Sequence, residues 1–215
     1  MTYLQIVNNV LRRLREDEVT SVNDSDYSKL VGDFVNDAKR VVVDAWDWSG
    51  QRKVIELDTV SGTREYVLPG TNSSVNIFSV LNTETRAYMN YKPQVWMEKA
   101  YYQGNPSPGS PSSYTYDGLE EGGEVALLVH PEPDAVYPLR IRASVQEQDF
   151  SGDSDVTKIP AMPILHLALA MLARERGETG GQNVREYFAV AEKFLGDAIA
   201  RDANRHPEEL IWKYI

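Results

Sequence analysis

The chain has 215 residues, of which 42% are hydrophobic and 25% charged, a composition typical of a folded globular protein and not of a disordered one. Its net charge of −10, with 22 basic residues scattered along the chain, disfavours tight nucleic-acid binding. It has no cysteine, which excludes disulfides and thiolate metal sites, and no apolar run long enough to span a bilayer. We therefore expect folding in a cytoplasm, with neither a signal peptide nor a membrane partner.

The first predicted helix runs from about Thr2 to about Arg15. Thr2 and Gln5 form a capping-box pattern, and apolar residues then recur at helical spacing. Basic residues lie in the last turn of this helix, where cations interact favourably with the negative end of the helix dipole. They are Arg12, Arg13 and Arg15. Solvated helix-end charge is the simpler interpretation of this cluster, and a basic spot that binds a partner is the alternative.

The second predicted helix has the strongest helical pattern in the sequence. Asp24 or Ser25 can cap it, and a broad apolar face follows as far as Trp46. Trp46 and Trp48 could stack on a sugar or a base. Large aromatic side chains at the end of a helix more often pin that helix to a sheet, so packing is the favoured interpretation.

The middle of the chain carries β signals from about residue 53 to about residue 145. Alternating or β-branched residues predict strands at Val54–Leu57, Glu65–Leu68, Val75–Asn82, Arg86–Lys92, Ser113–Tyr116, Val125–Val129 and Leu139–Val145. Turn-forming pairs such as Asp117-Gly118 and Gly122-Gly123 separate some of them. Pro131–Asp134 joins two strands of matched length as a predicted hairpin.

Two other segments interrupt the β pattern. Pro93–Tyr102 is predicted as a short helix, because proline suits the first position of a helix. Gly104–Pro111 contains three prolines and two glycines and is predicted as a loop. A surface connection is the simpler interpretation of this loop, and a contact loop used in assembly is the alternative.

Two more helices follow a polar link at Asp149–Asp155. The first opens at Pro163 and is apolar on nearly every face, and the second follows Gly180-Gly181. The predicted class is therefore α+β. Residues 1–50 and 156–207 form an antiparallel helical bundle, residues 51–155 a central antiparallel β-rich insertion, and residues 208–215 an apolar C-terminal tail.

No enzymatic chemistry is visible in the sequence. The histidines, which are far apart, are His130, His166 and His206, and each is expected to be structural. Neither a G-x-S-x-G motif nor a phosphate-binding loop occurs. The carboxylate groups are expected to be solvated charge, and they are Glu16-Asp17-Glu18, Asp44 with Asp47, and Glu120-Glu121. We therefore predict a protein that is not an enzyme, without catalytic residues, metal or cofactor.

The C-terminal tail is rich in residues that are costly to leave in water. They are Leu210, Ile211, Trp212, Tyr214 and Ile215. Full burial of these side chains gives a gross gain of about 7 to 15 kcal/mol as an upper bound, before the cost of ordering the tail. The tail can fold back on its own subunit or dock on a neighbouring or different subunit, and the sequence leaves both possibilities open.

Several stretches of the sequence resemble one known family. They are 3–8 (YLQIVN), 11–16 (LRRLRE), 31–36 (VGDFVN), 44–48 (DAWDW), 66–70 (YVLPG), 109–111 (GSP), 131–134 (PEPD) and 137–140 (YPLR). The chain resembles the head-to-tail adaptor, or connector, proteins of tailed bacteriophages, including the tail tubular protein A type of short-tailed phages.

The resemblance implies a structural virion protein assembled in the host cytoplasm. It implies a homo-oligomeric ring, usually dodecameric, that docks under the portal protein, receives a tail or nozzle protein and lets DNA pass through its channel with only transient, non-specific proximity. It also implies that the tail residues Leu210, Ile211, Trp212, Tyr214 and Ile215 face the portal. A tail-completion or neck protein farther from the portal is the alternative. A carbohydrate-binding module using Trp46, Trp48, Trp96 or the tyrosines as stacking platforms and an unrecognised hydrolase are alternatives from other classes.

Overall fold

The computed structural model describes residues 1–104, 106–177 and 182–205. Within them the protein is α+β, as predicted, with five α-helices and two four-stranded sheets. In chain order the elements are α1 (Tyr3–Arg13), α2 (Asp26–Asp44), β1 (Arg52–Asp58), β2 (Glu65–Val67), β3 (Asn76–Asn82), β4 (Ala87–Tyr88), β5 (Asn90–Tyr91), α3 (Gln94–Tyr102), β6 (Ser113–Leu119), β7 (Val125–His130), β8 (Pro138–Ser144), α4 (Ala161–Glu175) and α5 (Gln182–Ala203). None of these helices is both long enough and apolar enough to cross a bilayer.

The chain divides into two compact units. Met1–Gln51 together with the chain from Glu147 onward form the helical unit, which contains α1, α2, α4 and α5. Arg52–Gln146 form the β unit, which contains both sheets and α3.

Local capping determines where the first two helices begin. Thr2 forms the predicted capping box with Gln5, since each side chain accepts a hydrogen bond from the other residue's backbone N–H. Of the two candidates for α2, Ser25 is the cap. The Asp24 carboxylate instead accepts hydrogen bonds from Thr20 and from neighbouring backbone N–H groups, which lower its pKa.

Helix α4 is the most buried helix of its unit, as its all-round apolar pattern predicts. It contacts α1, α2 and α5. Its buried residues are Pro163, Ile164, Leu165, Ala168, Leu169, Ala170, Leu172 and Ala173. The helix begins at Ala161, two positions before the predicted start, because Pro163 still lies in the first turn, where a missing N–H costs no helical hydrogen bond.

Helices α1 and α2 approach each other closely at Gly32 of α2. A Cβ atom there would overlap the Tyr3 hydroxyl and lie 2.8 Å from a methyl carbon of Val22. The Tyr3 ring stacks on Phe150 at a centroid distance of 5.0 Å, and burial raises the pKa of Tyr3 to about 12. Glycine therefore lets α2 approach α1 closely.

The segment after the β unit is fixed to α2 by a buried ion pair. The Lys39 ammonium lies 3.2 Å from the Glu147 carboxylate and donates to the Gln148 carbonyl oxygen at 2.6 Å. Glu147 also accepts hydrogen bonds from the Thr157 hydroxyl and the Lys158 backbone N–H. The pair is nearly buried, and these additional hydrogen bonds offset its loss of hydration.

The β unit consists of two sheets that share one apolar core. One sheet has the order β1-β8-β3-β4 and the other the order β2-β7-β6-β5. Both contribute side chains to this core, which comprises Ile55, Tyr66, Leu68, Ile77, Val80, Met89, Tyr114, Leu127, Val129, Leu139, Ile141 and Ala143. Its first and last strands pair with each other, with Arg52 opposite Ser144.

The predicted strand Arg86–Lys92 is wrong as one element, because the chain changes sheets within it. Strand β4 pairs with β3 in one sheet and β5 pairs with β6 in the other. The buried Met89 lies between them and donates its backbone N–H to Val80. The β5–β6 pair is parallel, which corrects the expectation of a purely antiparallel insertion. The long connection through α3 and the following loop permits this pairing.

Two turn predictions are also wrong. Strands β7 and β8 lie in different sheets, so Pro131–Asp134 is a crossing between sheets and not a hairpin. Its two prolines lack the N–H groups that a hairpin ladder needs. Asp117-Gly118 lies inside β6, where the register shifts between Tyr116 and Gly118, and the turn falls later, at Gly123 with φ +79°.

Candidate assembly surfaces

The two described histidines pack against aromatic rings. His130 meets the edge of Trp96 with ring centroids 5.5 Å apart, and His166 stacks on Phe194 with centroids 4.2 Å apart. Burial lowers the pKa of both imidazoles. His206 lies outside the described residues. In residues 1–104, 106–177 and 182–205, no cluster of three or more His, Asp or Glu side chains could hold a metal ion.

Charged residues in the last turn of α1 and just after it form ion pairs. Arg12 lies 3.1 Å from the Glu18 carboxylate, and Glu16 pairs with Arg176 at 2.5 Å. The Arg12 pair supports the interpretation of that residue as helix-end charge.

The two neighbouring tryptophans are packing residues. Trp48 is only 1% exposed and donates its indole N–H to the Val42 carbonyl oxygen at 2.7 Å. Trp46 packs against the same core and donates its indole N–H to Asp202 at 3.2 Å. The favoured interpretation is confirmed in its main point, but both rings pack within the helical unit and not on a sheet.

Asp202 is the polar centre of this region, and the sequence analysis missed it. It lies in the last turn of α5 and is 8% exposed. Its carboxylate accepts from the Ser49 backbone N–H at 2.8 Å, from the Ser49 hydroxyl at 2.5 Å and from Arg205 at 3.2 Å. The available signal was its spacing, because Asp202 falls four residues after Ala198 on the apolar face of α5.

A cavity of about 520 Å³ lies beside this carboxylate and is here called the α5-end cavity. Its apolar wall includes Trp48, Ile159, Pro160, Met162, Phe194 and Ala198. Its polar rim is formed by Lys158, Arg201, Asp202 and Arg205. The cavity thus presents an apolar floor with an excess of positive charge at its edge.

Helix α5 leaves part of its apolar face in solvent. Tyr187 and Val190 are each 40% exposed, and Met162 at the start of α4 is 39% exposed. Exposed apolar side chains mark an interface only where they form a contiguous patch, so Tyr187 and Val190 are candidates for one.

The β unit has its own concentration of exposed apolar side chains, here called the aromatic segment. It runs from Tyr88 to Tyr102, through β5 and α3. Its exposed members are Tyr88, Tyr91, Val95, Trp96 and Tyr102. Tyr88 and Tyr102 are 70% and 78% exposed, and tyrosine and tryptophan are common anchors of protein interfaces.

The β unit also has a cavity, of about 490 Å³, which lies between β2 and α3. Its carboxylates are Glu65, Glu98, Asp117 and Glu132. Burial, and then the nearby Asp117, raise the pKa of Glu65. Gln94 donates to Asp117 at 3.1 Å, and the Arg64 guanidinium lies 3.4 Å from the centre of the Tyr101 ring. These contacts account for three of the polar groups in the cavity, those of Gln94, Asp117 and Arg64.

The proline-rich loop is anchored at its end nearest β6. Gly109 donates its backbone N–H to Glu132 at 2.8 Å, and Ser110 accepts from the Asn82 amide at 3.0 Å. Asn105 lies outside the described residues. These bonds agree with a surface connection, and the use of this loop as an assembly contact stays a prediction.

The predicted portal-binding residues cannot be placed in this architecture. Leu210, Ile211, Trp212, Tyr214 and Ile215 all lie outside the described residues, which end at Arg205. Their role stays a prediction.

Comparison with known proteins finds a match to one protein family. The profile of the SU10 adaptor protein family matches residues 1–209, which takes in both compact units. The matched region ends before Leu210, so the most apolar part of the tail lies beyond it. No curated protein matches the chain.

Proposed function

The chain belongs to the SU10 adaptor protein family and is therefore a phage structural adaptor, and from that premise we propose that it forms the head-to-tail connection of the virion. In this proposal, copies of the chain form a ring, usually of twelve subunits in related adaptors, under the portal protein. The ring receives a tail or nozzle protein on its other side. The family match over residues 1–209 is the observation that carries the proposal.

Each compact unit offers a separate apolar surface, as an adaptor with several partners requires. The helical unit exposes Tyr187 and Val190 on α5, and the β unit exposes the aromatic segment. We assign the helical unit, as an antiparallel bundle, to the portal side together with the tail residues Leu210, Ile211, Trp212, Tyr214 and Ile215. We assign the aromatic segment to the tail side, in an arrangement like that of tail tubular protein A.

The charge of the protein suits a channel through which DNA slides. A net charge of −10 repels phosphate and prevents the ring from holding the genome as it passes. DNA is therefore a transient neighbour in this proposal and not a ligand. The adaptor would be assembled onto filled heads in the host cytoplasm.

The carbohydrate-binding alternative loses two of its candidate stacking platforms, because Trp46 and Trp48 are packed into the helical unit. The neck or tail-completion alternative differs from the main proposal in its partner. Binding to purified tail but not to portal would favour that alternative.

Electron microscopy of the purified protein mixed with its portal tests the proposal. We expect rings bound to portals. A protein that stays monomeric and ignores the portal would contradict the proposal.

Deletion of residues 208–215 tests the assigned portal contact. We expect circular dichroism to show an intact helical unit and portal attachment to weaken. Tyr102→Ser, in the aromatic segment, is the matched control, because we expect it to weaken tail attachment and leave portal attachment unchanged. Unchanged portal attachment after the deletion would remove the tail from the mechanism.

A further inference from the structure

The α5-end cavity has the chemistry of a binding site for a segment that is acidic and then apolar. Its floor includes Trp48, Pro160 and Phe194, which offer aromatic and aliphatic surface. Its volume of about 520 Å³ lies within the range of pockets that bury a ligand of several side chains. A mostly apolar pocket with a few polar groups is the usual form of a binding site.

The rim of the cavity carries more positive charge than its own residues neutralise. Asp202 is paired with Arg205 and bonded to Ser49. Lys158 and Arg201 are exposed and make no ion pair with any residue that the structure describes. In a chain with a net charge of −10, two free cations beside an apolar floor favour a ligand with carboxylates.

The chain itself supplies a segment with this chemistry directly after the cavity. Arg205, the last described residue, lines the cavity. Glu208 and Glu209 follow after His206 and Pro207, and Leu210, Ile211 and Trp212 come next. The segment therefore carries both carboxylates for the cations of the cavity and apolar side chains for its floor.

The tether is long enough for the segment to reach back. Trp212 lies seven positions after Arg205. An extended chain covers about 3.3 Å per residue, so Trp212 can lie up to roughly 23 Å from Arg205. Pro207 disfavours a helical conformation at His206, which favours departure from the α5 axis. A segment tied this close to a pocket has an effective concentration on the order of millimolar.

We propose that the α5-end cavity binds residues 208–212 of its own chain in the free protomer. Glu208 and Glu209 pair with Arg201 and Lys158, and the apolar residues that follow cover the floor. The cavity thereby shields the tail from water and from other chains before assembly. The proposal concerns the isolated protein and does not depend on a portal, so it can fail while the adaptor function stands.

Cysteine cross-linking in the full-length chain tests the proposal, because the chain has no native cysteine. The test variant carries Met162→Cys on the cavity wall and Ile211→Cys in the tail. The control carries Tyr187→Cys and Ile211→Cys, because Tyr187 is equally exposed but does not line the cavity. A short bifunctional maleimide is added to dilute protein, and the products are separated on a denaturing gel.

We expect the test variant to form a cross-link within one chain, at a rate independent of protein concentration and at least about fivefold above the control. Arg201→Glu should lower that rate roughly twofold to fivefold, as expected for the loss of an exposed ion pair, and Glu209→Arg should restore it. Cross-linked dimers would show that a second copy supplies the tail and would overturn the proposal. Equal rates in the test and control variants would also overturn it.

Discussion

Ser49 donates both its backbone N–H and its hydroxyl to the carboxylate of Asp202, over 2.8 Å and 2.5 Å. The two residues are 153 positions apart in the chain, and their contact holds the last turn of α5 against the turn that follows α2. A buried carboxylate is tolerated here because several donors surround it. The contact fixes the end of α5, which is the last helix that the structure describes.

Asp202→Asn should destabilise the helical unit by about 1 to 3 kcal/mol, because an amide N–H₂ would face donors where the carboxylate accepted hydrogen bonds. Urea unfolding followed by circular dichroism measures the change. Asp197→Asn is the matched control, because Asp197 is exposed on the same helix and its replacement should change stability by less than about 0.5 kcal/mol. Equal effects of the two substitutions would contradict the role given to Asp202.

Lys39→Met should cost about 3 kcal/mol, because it leaves the Glu147 carboxylate nearly buried without its cation. The double variant Lys39→Met with Glu147→Gln should recover part of that loss, since the remaining side chain is neutral. Denaturant midpoints of the three proteins give the comparison. Lys29→Met, which breaks only the exposed pair with Asp26, should change stability by less than about 1 kcal/mol. A loss just as large at Lys29 would argue against burial as the cause.

Gly32→Ala should destabilise the protein by roughly 1 to 3 kcal/mol, because the added methyl group overlaps the Tyr3 hydroxyl. Tyr3→Phe in the same chain should relieve part of the strain. Gly196→Ala is the control, because this helical glycine has open space around it and alanine there should stabilise by up to about 1 kcal/mol. Thermal unfolding distinguishes these outcomes, and an equal gain at both glycines would show that α2 can move away from Tyr3.

His166 should make the helical unit less stable in weak acid. Burial lowers the pKa of His166 in the folded protein, so the unfolded chain takes up a proton first as the pH falls below about 6.5. This contribution is fully present at higher pH and is lost progressively as the pH falls towards the folded-state pKa. His166→Phe keeps the stack on Phe194 and removes the titration. Melting temperatures from pH 7.5 to 5.5 should fall more steeply for the parent than for the variant, and parallel profiles would exclude His166 as a source.

The sequence predicted the elements well where one periodicity acts over a long stretch. Helix α2 and the apolar α4 follow from their side-chain spacing, and the Thr2 capping box follows from local chemistry. Turn residues predicted breaks in the chain but not which strands would pair across them. Strand pairing depends on which sheet can bury the apolar face of each strand, and this is a non-local property. Strands β7 and β8 are consecutive in the chain, yet they lie in different sheets.

The candidate surfaces were less predictable than the fold. Spacing can place Asp202 on the apolar face of α5, but only the fold brings Ser49 to it. The exposure of Tyr88 and Tyr102 has the same origin, because both residues belong to segments whose patterns are equally compatible with burial. Which apolar side chains are exposed depends on which others the core buries, so the surfaces can be identified only after the core.

The pairing of Arg52 with Ser144 has a consequence for how this molecule can change over time. The chain enters and leaves the β unit through adjacent strands, whose separation is about 5 Å. Any other folded domain whose two ends are equally close could be inserted at the same position and leave the helical unit intact. Genetic exchange between phages can therefore replace the whole middle of the gene as a cassette while the sequence of the helical unit stays unchanged.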